Sequence, residues 1–351
     1  MVVSDPTPFS GEARGRRPAR ERPTLEAVAR RAGVSRATVS RVVNGSPTVA
    51  AHLREAVQRA VEALGYVPNQ AARSLVTHRT GAMALVVSEP QSRVFSDDPY
   101  FAQVIQGVSQ ELEVADKQLV LIMSPAGTGH GRIERYAAGG HVDGVMLFSV
   151  HGADPLPATL TRLGVPVVCN GRPLPPVEVP YVDVENEEGA RRAVRYLLES
   201  GRRRIATIAG PQDMVAGIDR LNGYREVMRD SDRRSLVAVG DFSRESGAAA
   251  MRQLLADDPG VDAVFAASDL MADGALRTLR QAGRRVPDDV AVVGFDDNSI
   301  AAYTDPPLTT VRQPVQEIGR TLARQLLRLV GGEEIEPAVV LPTELVVRES
   351  A

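Results

Sequence analysis

Arg36 and Arg41 stand one and a half helical turns apart in the run SRATVSRVV, with Ala37 and Ser40 between them on the same exposed side. A short face of this kind carries guanidinium and hydroxyl donors and one methyl group, which are the groups that read base edges in a DNA groove. An arginine at position 36 suits bidentate contact to guanine O6 and N7, whereas Ala37 offers only a methyl contact. The elements that must hold this face are legible on either side. Leu25, Val28, Ala29 and Ala32 recur at i, i+3, i+4 and i+7, predicting a first helix with Glu26, Arg30 and Arg31 turned to water. Gly33 suits a helix end at positive φ, and Ser35 suits the N-cap of a second helix. Val39, Val42 and Val43 then point inward and leave Arg36, Ala37, Ser40 and Arg41 outward, the layout of a helix-turn-helix with its recognition helix.

A third amphipathic helix follows from Leu53, Val57, Ala60, Val61 and Leu64, and Gly65 ends it. After Tyr66, Val67 and Pro68 the run NQAARSL predicts one more short helix, capped by Asn69 and ending near Leu75. From position 24 through GYVPNQAARSL the chain resembles the lactose- and galactose-repressor (LacI/GalR) family. The resemblance implies a DNA-binding set of Thr24, Ser35, Arg36, Ala37, Thr38, Ser40, Arg41 and Asn44 in the headpiece, with Asn69, Ala72, Arg73 and Leu75 in a hinge helix. It also implies that the paired hinge helices of a dimer enter the minor groove, with Leu75 wedged between base pairs.

Charge is distributed accordingly. Residues 1–80 hold 13 Arg and 6 Asp or Glu, while the remainder holds 28 basic and 38 acidic residues. The front of the chain is suited to a polyanion and the back is not. Residues 1–22, with five Arg, several Pro and little apolar content, are expected to form a disordered tail. The single Cys169 excludes an intrachain disulfide and a cysteine-cluster metal site, and the five histidines lack metal-ligand spacing. No cofactor is implied. No apolar run approaches the length of a membrane span and the N-terminus has no hydrophobic signal core, so a cytoplasmic protein is expected.

From position 81 short apolar runs alternate with helical periodicity. AMALVV, QLVLIM, GVMLFS, VPVVCN, RIATIAG, DAVFAAS and VAVVGF read as buried strands, and 101–115, 187–200, 244–255 and 270–282 as helices. That alternation predicts an α/β fold of parallel sheets flanked by helices. The family resemblance implies a bilobed, periplasmic-binding-protein-like core. The expected organisation is a helix-turn-helix domain at 23–68, a hinge helix and linker at 69–80, and a core at 81–351. Lobe 1 would comprise about 81–172 and 313–335, and lobe 2 about 173–312 and 336–351, with crossings near 172–182, 298–303 and 310–314.

In open parallel sheets ligands sit beyond the carboxyl ends of strands. That rule selects Asn170, Ser268, Asp269, Asp296 and Asp297, although Asp, Asn and Ser at such positions also cap helices and fix turns. The resemblance adds Arg220 in GIDRLNGY as an effector-binding arginine and makes Asp296 its carboxylate partner, a pair suited to vicinal sugar hydroxyls. It also points to Phe242 as an apolar wall and Phe101 as an aromatic at the cleft mouth, both of which fit a core role equally. Ala216 stands where some sugar-binding members carry a hydroxyl.

The function expected is a DNA-binding transcriptional regulator, a repressor acting as a homodimer on a near-palindromic operator and controlled by a small molecule, a sugar or sugar derivative. Regulation by a protein partner, or by no effector, is the nearest alternative. A solute-binding protein is a distant one, since this chain carries a DNA headpiece in place of an export signal. An enzyme is disfavoured: no GxGxxG follows the first strand, and no phosphate loop or Ser/His/Asp arrangement stands in a recognisable context.

Overall fold

The computed structural model describes residues 23–43, 46, 48–67, 79–95, 98–125 and 129–351. Two compact units divide between His78 and Arg79.

The first unit contains α1 (Leu25–Ala32), α2 (Arg36–Val43) and α3 (Ala51–Leu64). The hydroxyl of Thr24 accepts the Ala27 N–H at the start of α1, and Gly33 ends that helix at a φ of 64°, where a Cβ would be strained. Ser35 Oγ accepts the Thr38 N–H and starts α2. Val28, Val39 and Val57 are fully buried and close a three-helix core with Ala29, Ala60 and Tyr66. The apolar spacing predicted from sequence is the spacing observed. Tyr66 is an addition, because its ring covers the end of the core after Gly65 turns the chain at a φ of 60°.

The second unit has two lobes. In chain order its elements are β1 (Ala82–Val87), α4 (Gln91–Val94), α5 (Pro99–Val114), β2 (Gln118–Met123), α6 (Gly131–Ala138), β3 (Gly144–Phe148), α7 (Leu156–Arg162), β4 (Val167–Asn170) and β5 (Tyr181–Val184), all in lobe 1. Then follow α8 (Asn186–Glu199), β6 (Ile205–Ala209), α9 (Val215–Asp230), β7 (Leu236–Val239), α10 (Arg244–Asp257), β8 (Ala263–Ala266), α11 (Asp269–Gln281), β9 (Ala291–Asp296), a 3-10 turn (Ser299–Tyr303) and β10 (Thr309–Arg312) in lobe 2. The chain ends with α12 (Val315–Gly331), β11 (Ala338–Leu341) and β12 (Glu344–Val346).

The lobe 1 sheet has the order β11-β5-β4-β3-β1-β2, and its ladders are parallel. The lobe 2 sheet, β12-β10-β9-β8-β6-β7, is parallel except where β12 runs against β10. Each sheet is covered on both faces, as near-continuous apolar strands require. In lobe 1, α5 and α12 pack on one face, while residues of α6 and α7 cover the other. In lobe 2, α10 and α11 cover one face, with α8 and α9 on the other. The α5 and α12 backbones meet at Gly107 and Gly319; a Cβ on Gly107 would collide with the Gln316 carbonyl, and one on Gly319 with that of Val104.

The lobe boundaries differ from those expected. YVDV, expected to be part of a crossing, is strand β5 in the lobe 1 sheet, so the chain first leaves lobe 1 between Val184 and Asn186. Its period-two burial and short length gave it the look of a connection. Residues 298–303 are not a crossing; they form the 3-10 turn inside lobe 2, with Ala301 buried. The return lies between Arg312 and Val315, and the third passage lies between β11 and β12. Residues 338–341 therefore belong to lobe 1, where β11 pairs with β5.

Candidate functional site

The carboxyl ends of β3, β4, β5 and β9 converge with the loops before α9 and α11 on a cleft between the lobes, enclosing about 950 Å³ of space including that open to solvent. Arg220, Asp296, Asn170, Ser268, Phe242 and Phe101 all line it.

Arg220 projects from α9 and is 4% exposed. Its Nε donates to Asn186 Oδ1 at 2.8 Å, and its Nη1 donates to the Ala267 carbonyl at 2.7 Å and lies 3.4 Å from Asp296 Oδ1. The guanidinium carbon sits 3.6 Å from the ring centroid of Phe295 and 5.8 Å from that of Phe242, so a cation held by three oxygens also lies against two aromatic rings.

Asp296 ends β9 at a φ of 118°, a sparsely populated backbone conformation maintained by the buried surroundings. Its Oδ1 also accepts from Gln313 Nε2 at 2.6 Å. Burial pushes its carboxyl up to about 7, against the lowering influence of Arg220. Ser268 lines the cleft and caps α11 by accepting the Met271 N–H. Asn170 donates to the Val182 carbonyl at 3.3 Å. Phe242, at a φ of 68°, leans over Gly210, where any Cβ would strike its ring. Phe101 is 4% exposed and stands edge-on to Phe148 at 5.8 Å, while Tyr100 stacks on Phe148 at 5.7 Å.

Asp269 does not reach the cleft. It is fully buried, Oδ1 accepting from Thr310 Oγ1 and Oδ2 from the Asn298 N–H, and burial beside Asp296 raises its carboxyl well above the ordinary range. It ties α11 to the turn after β9 and is a structural residue. Asp297 is likewise engaged, by Arg312 at 2.7 Å and Arg348 at 2.6 Å. The strand-end rule selects the right end of the sheet but does not say on which side of the backbone each side chain falls.

Sequence reasoning missed a second group. Asp183 lines the cleft from β5, its Oδ1 accepting from the Val184 N–H and from Asn186 Nδ2 at 2.8 Å, and burial lifts its carboxyl to about 6. Asn186 thereby links Asp183 to Arg220. Arg172 of lobe 1 pairs at 2.5 Å with Asp219 of lobe 2. Recognising YVDV as a strand would have placed Asp183 at a carboxyl end by the same rule.

In the headpiece, Thr24, Ser35, Arg36, Ala37 and Arg41 are exposed, and Thr38 and Ser40 half-buried. Arg36 Nε lies 3.2 Å from Glu26, an exposed pair that groove contact can displace at little cost. Asn44, Asn69, Ala72, Arg73 and Leu75 lie outside the described residues.

Residues 24–69 match the model of the bacterial regulatory proteins of the lacI family, and 194–351 match the periplasmic binding protein-like domain. The transcriptional regulator CelR of Thermobifida fusca is 54% identical over 94% of this chain and 99% of its own length. The chain belongs to the LacI family of bacterial transcriptional regulators. The ribose operon repressor of Halalkalibacterium halodurans is 32% identical over 93% of the chain and 96% of its own length. A solved CelR–cellobiose complex superposes with a TM-score of 0.75 at 52% identity, over 94% of this chain and 100% of that one. The lac repressor dimer bound to operator and an anti-inducer superposes at 0.80 with 27% identity, over 94% and 99%. The regulator is a DNA-binding repressor with a headpiece and a bilobed sugar-binding-type core, and not an enzyme. Among the described residues no helix is long and apolar enough to cross a membrane.

Proposed function

We propose that this repressor acts in the cytoplasm as a homodimer whose operator affinity is set by a β-linked glucose disaccharide of the cellobiose type, bound in the cleft between the lobes. The observation that carries the reading is the buried Arg220–Asp296 pair at the cleft wall, in a chain 52% identical to one solved with cellobiose. The surroundings suit an uncharged polyol. The cleft lining includes three arginines, Arg93, Arg172 and Arg220, and three aspartates, Asp98, Asp183 and Asp296, so both donors and acceptors are present. Phe101, Phe148, Tyr100 and Phe242 supply apolar surfaces for the C–H faces of two pyranose rings.

On the DNA side, Arg36, Ala37, Ser40 and Arg41 read the major groove, Thr24, Ser35, Thr38 and Asn44 anchor the headpiece, and Asn69, Ala72, Arg73 and Leu75 form the hinge segment in the minor groove. A dimer places two such helices about 34 Å apart over a near-palindrome. Effector and operator must alter each other's affinity by the same factor. The test is selection of bound sequences from random DNA, followed by titration of the selected site with cellobiose, cellotriose, glucose, lactose, maltose and hypoxanthine. A palindrome whose affinity changes with cellobiose alone is the expected result. A palindrome indifferent to every compound would overturn the sugar reading and favour control by a protein partner.

A further inference from the structure

His151 follows β3 in lobe 1, and Asp213 lies in the loop that leads into α9 of lobe 2. His151 Nδ1 is 2.9 Å from Asp213 Oδ2, and Nε2 is 3.1 Å from Glu89 Oε1 of lobe 1. Both ring nitrogens thus face carboxylate oxygens. A neutral imidazole donates from one nitrogen and would aim a lone pair at the other carboxylate; only the imidazolium satisfies both. The next residue, Gly152, donates its N–H to the Asp213 carbonyl at 2.6 Å across the same gap. Ser149, Val150 and Gly152 line the cleft, so this junction stands at its edge.

We propose that His151 is a positioning residue for effector binding: as an imidazolium it ties lobe 1 to lobe 2 at the cleft edge and favours the closed arrangement. The effector arm of this proposal rests on the cellobiose reading above; closure itself does not. A second interlobe tie joins Arg172 to Asp219, whose carboxyl burial raises against the lowering influence of Arg172, so the His151→Gln comparison below is needed to isolate the histidine.

The surrounding charges are consistent. Glu89 receives the Ser149 hydroxyl at 2.7 Å, and Arg93 of α4 stands 3.6 Å from its other oxygen. Burial acts against ionisation of Glu89, yet His151 and Arg93 hold its carboxyl below the ordinary value. The hydrogen bond to Glu89, opposed by burial and aided by Asp213, raises the His151 pKa. Asp98 at the head of α5 and Asp241 before α10 both lie within the field of Arg93, and Asp154 on the same loop as His151 is paired with His130 at 3.1 Å. Opening removes Asp213 but leaves Glu89, so His151 gives up only the Asp213 part of its rise. The added closure is therefore complete below the open-state value and is lost as pH rises through the higher, closed-state value.

Amide exchange at Gly152 reads closure without a ligand. In the full chain, after correction for the intrinsic pH dependence of exchange, Gly152 protection should fall about fivefold between pH 6 and 8.5, the low end of usual coupling factors. His151→Gln should abolish that dependence, and Asp213→Asn should reduce it while keeping the backbone carbonyl that Gly152 uses. Cellobiose affinity should weaken over the same range by a similar factor in the wild type relative to His151→Gln, a difference that cancels titration of Asp183 and Asp296. Identical pH profiles for Gly152 in wild type and His151→Gln would overturn the proposal. A pH-dependent Gly152 in a protein that binds no cellobiose at any pH would support the latch and refute the effector.

Discussion

Replacing Asp296 by asparagine should weaken effector binding and stabilise the fold, and the two effects have separable magnitudes. Asparagine is the apt substitute because it tolerates the positive φ of 118° better than most side chains and keeps an acceptor for Gln313 Nε2. A sugar hydroxyl donating to the carboxylate loses a charge-assisted bond worth about 1.5–3 kcal/mol, so the cellobiose Kd should rise roughly 10- to 150-fold. The stability effect follows from burial, which lifts the carboxyl from an ordinary 3.8 to about 7 even with Arg220 beside it. For a carboxyl raised in the folded state, the penalty is absent well below the ordinary value, grows as pH rises, and is complete above the folded value. Above pH 7 that penalty is on the order of 2–4 kcal/mol, which asparagine avoids. At about 2–4 °C per kcal/mol for a unit of this size, Asp296→Asn should melt roughly 4–16 °C above wild type at pH 8. The gap should close as pH falls towards 4. Calorimetric unfolding at pH 4, 6 and 8, with cellobiose titration at pH 8, reads both effects. A variant less stable than wild type at pH 8, or one with unchanged cellobiose affinity, would refute the assignment of Asp296 as a carboxylate kept for binding at a cost to the fold.

Other substitutions probe the remaining parts. Arg36→Ala should leave stability within about 1 kcal/mol, since its pair with Glu26 is exposed, yet relax base preference at one operator position by about 1–3 kcal/mol in a competition binding assay; unchanged selectivity would remove Arg36 from the reading face. Leu75→Ala should reduce operator bending, measured by fluorescence transfer between DNA ends, more than nonspecific affinity, and equal losses would argue against a wedge. Gly319→Ala forces a Cβ against the Val104 carbonyl where α12 crosses α5, and should lower the denaturant midpoint by an amount equivalent to about 1–3 kcal/mol.

What the residues alone disclosed was uneven for physical reasons. The headpiece was readable nearly atom by atom, because Thr24, Gly33 and Ser35 act through local capping and Val28, Val39 and Val57 through helical spacing, both of which are properties of a few adjacent residues. Strands such as AMALVV were readable because burial on both faces demands an unbroken apolar run. β5 escaped because Asp183 breaks its short apolar run, and β11 because AVVL, though wholly apolar, is only four residues long and lies at the edge of the lobe 1 sheet. The strand-end rule could not tell Asp269 from Asp296, which only the resemblance separated: each follows an apolar strand, and the tertiary placement of Thr310 and Asn298 turns one inward while Gln313 and Arg220 hold the other at the cleft.

The same contacts explain how a ligand can act on lobe geometry. Asp183 is the penultimate residue of β5, the strand before the first passage between lobes, Asn186 begins the helix after it, and the two are joined by a 2.8 Å hydrogen bond. Asn186 then fixes Nε of Arg220, and Gln313, two residues before α12, fixes Asp296 from the second passage. The third passage is clamped by Arg192, which donates to the Thr343 carbonyl at 2.5 Å and pairs with Glu185 at 3.1 Å. A sugar that engages Arg220 and Asp296 is therefore one hydrogen bond away from two of the three segments about which the lobes turn. Differential affinity for two lobe angles requires contacts that change with angle, and side chains anchored on the passages themselves meet that requirement without a longer chain of intermediates.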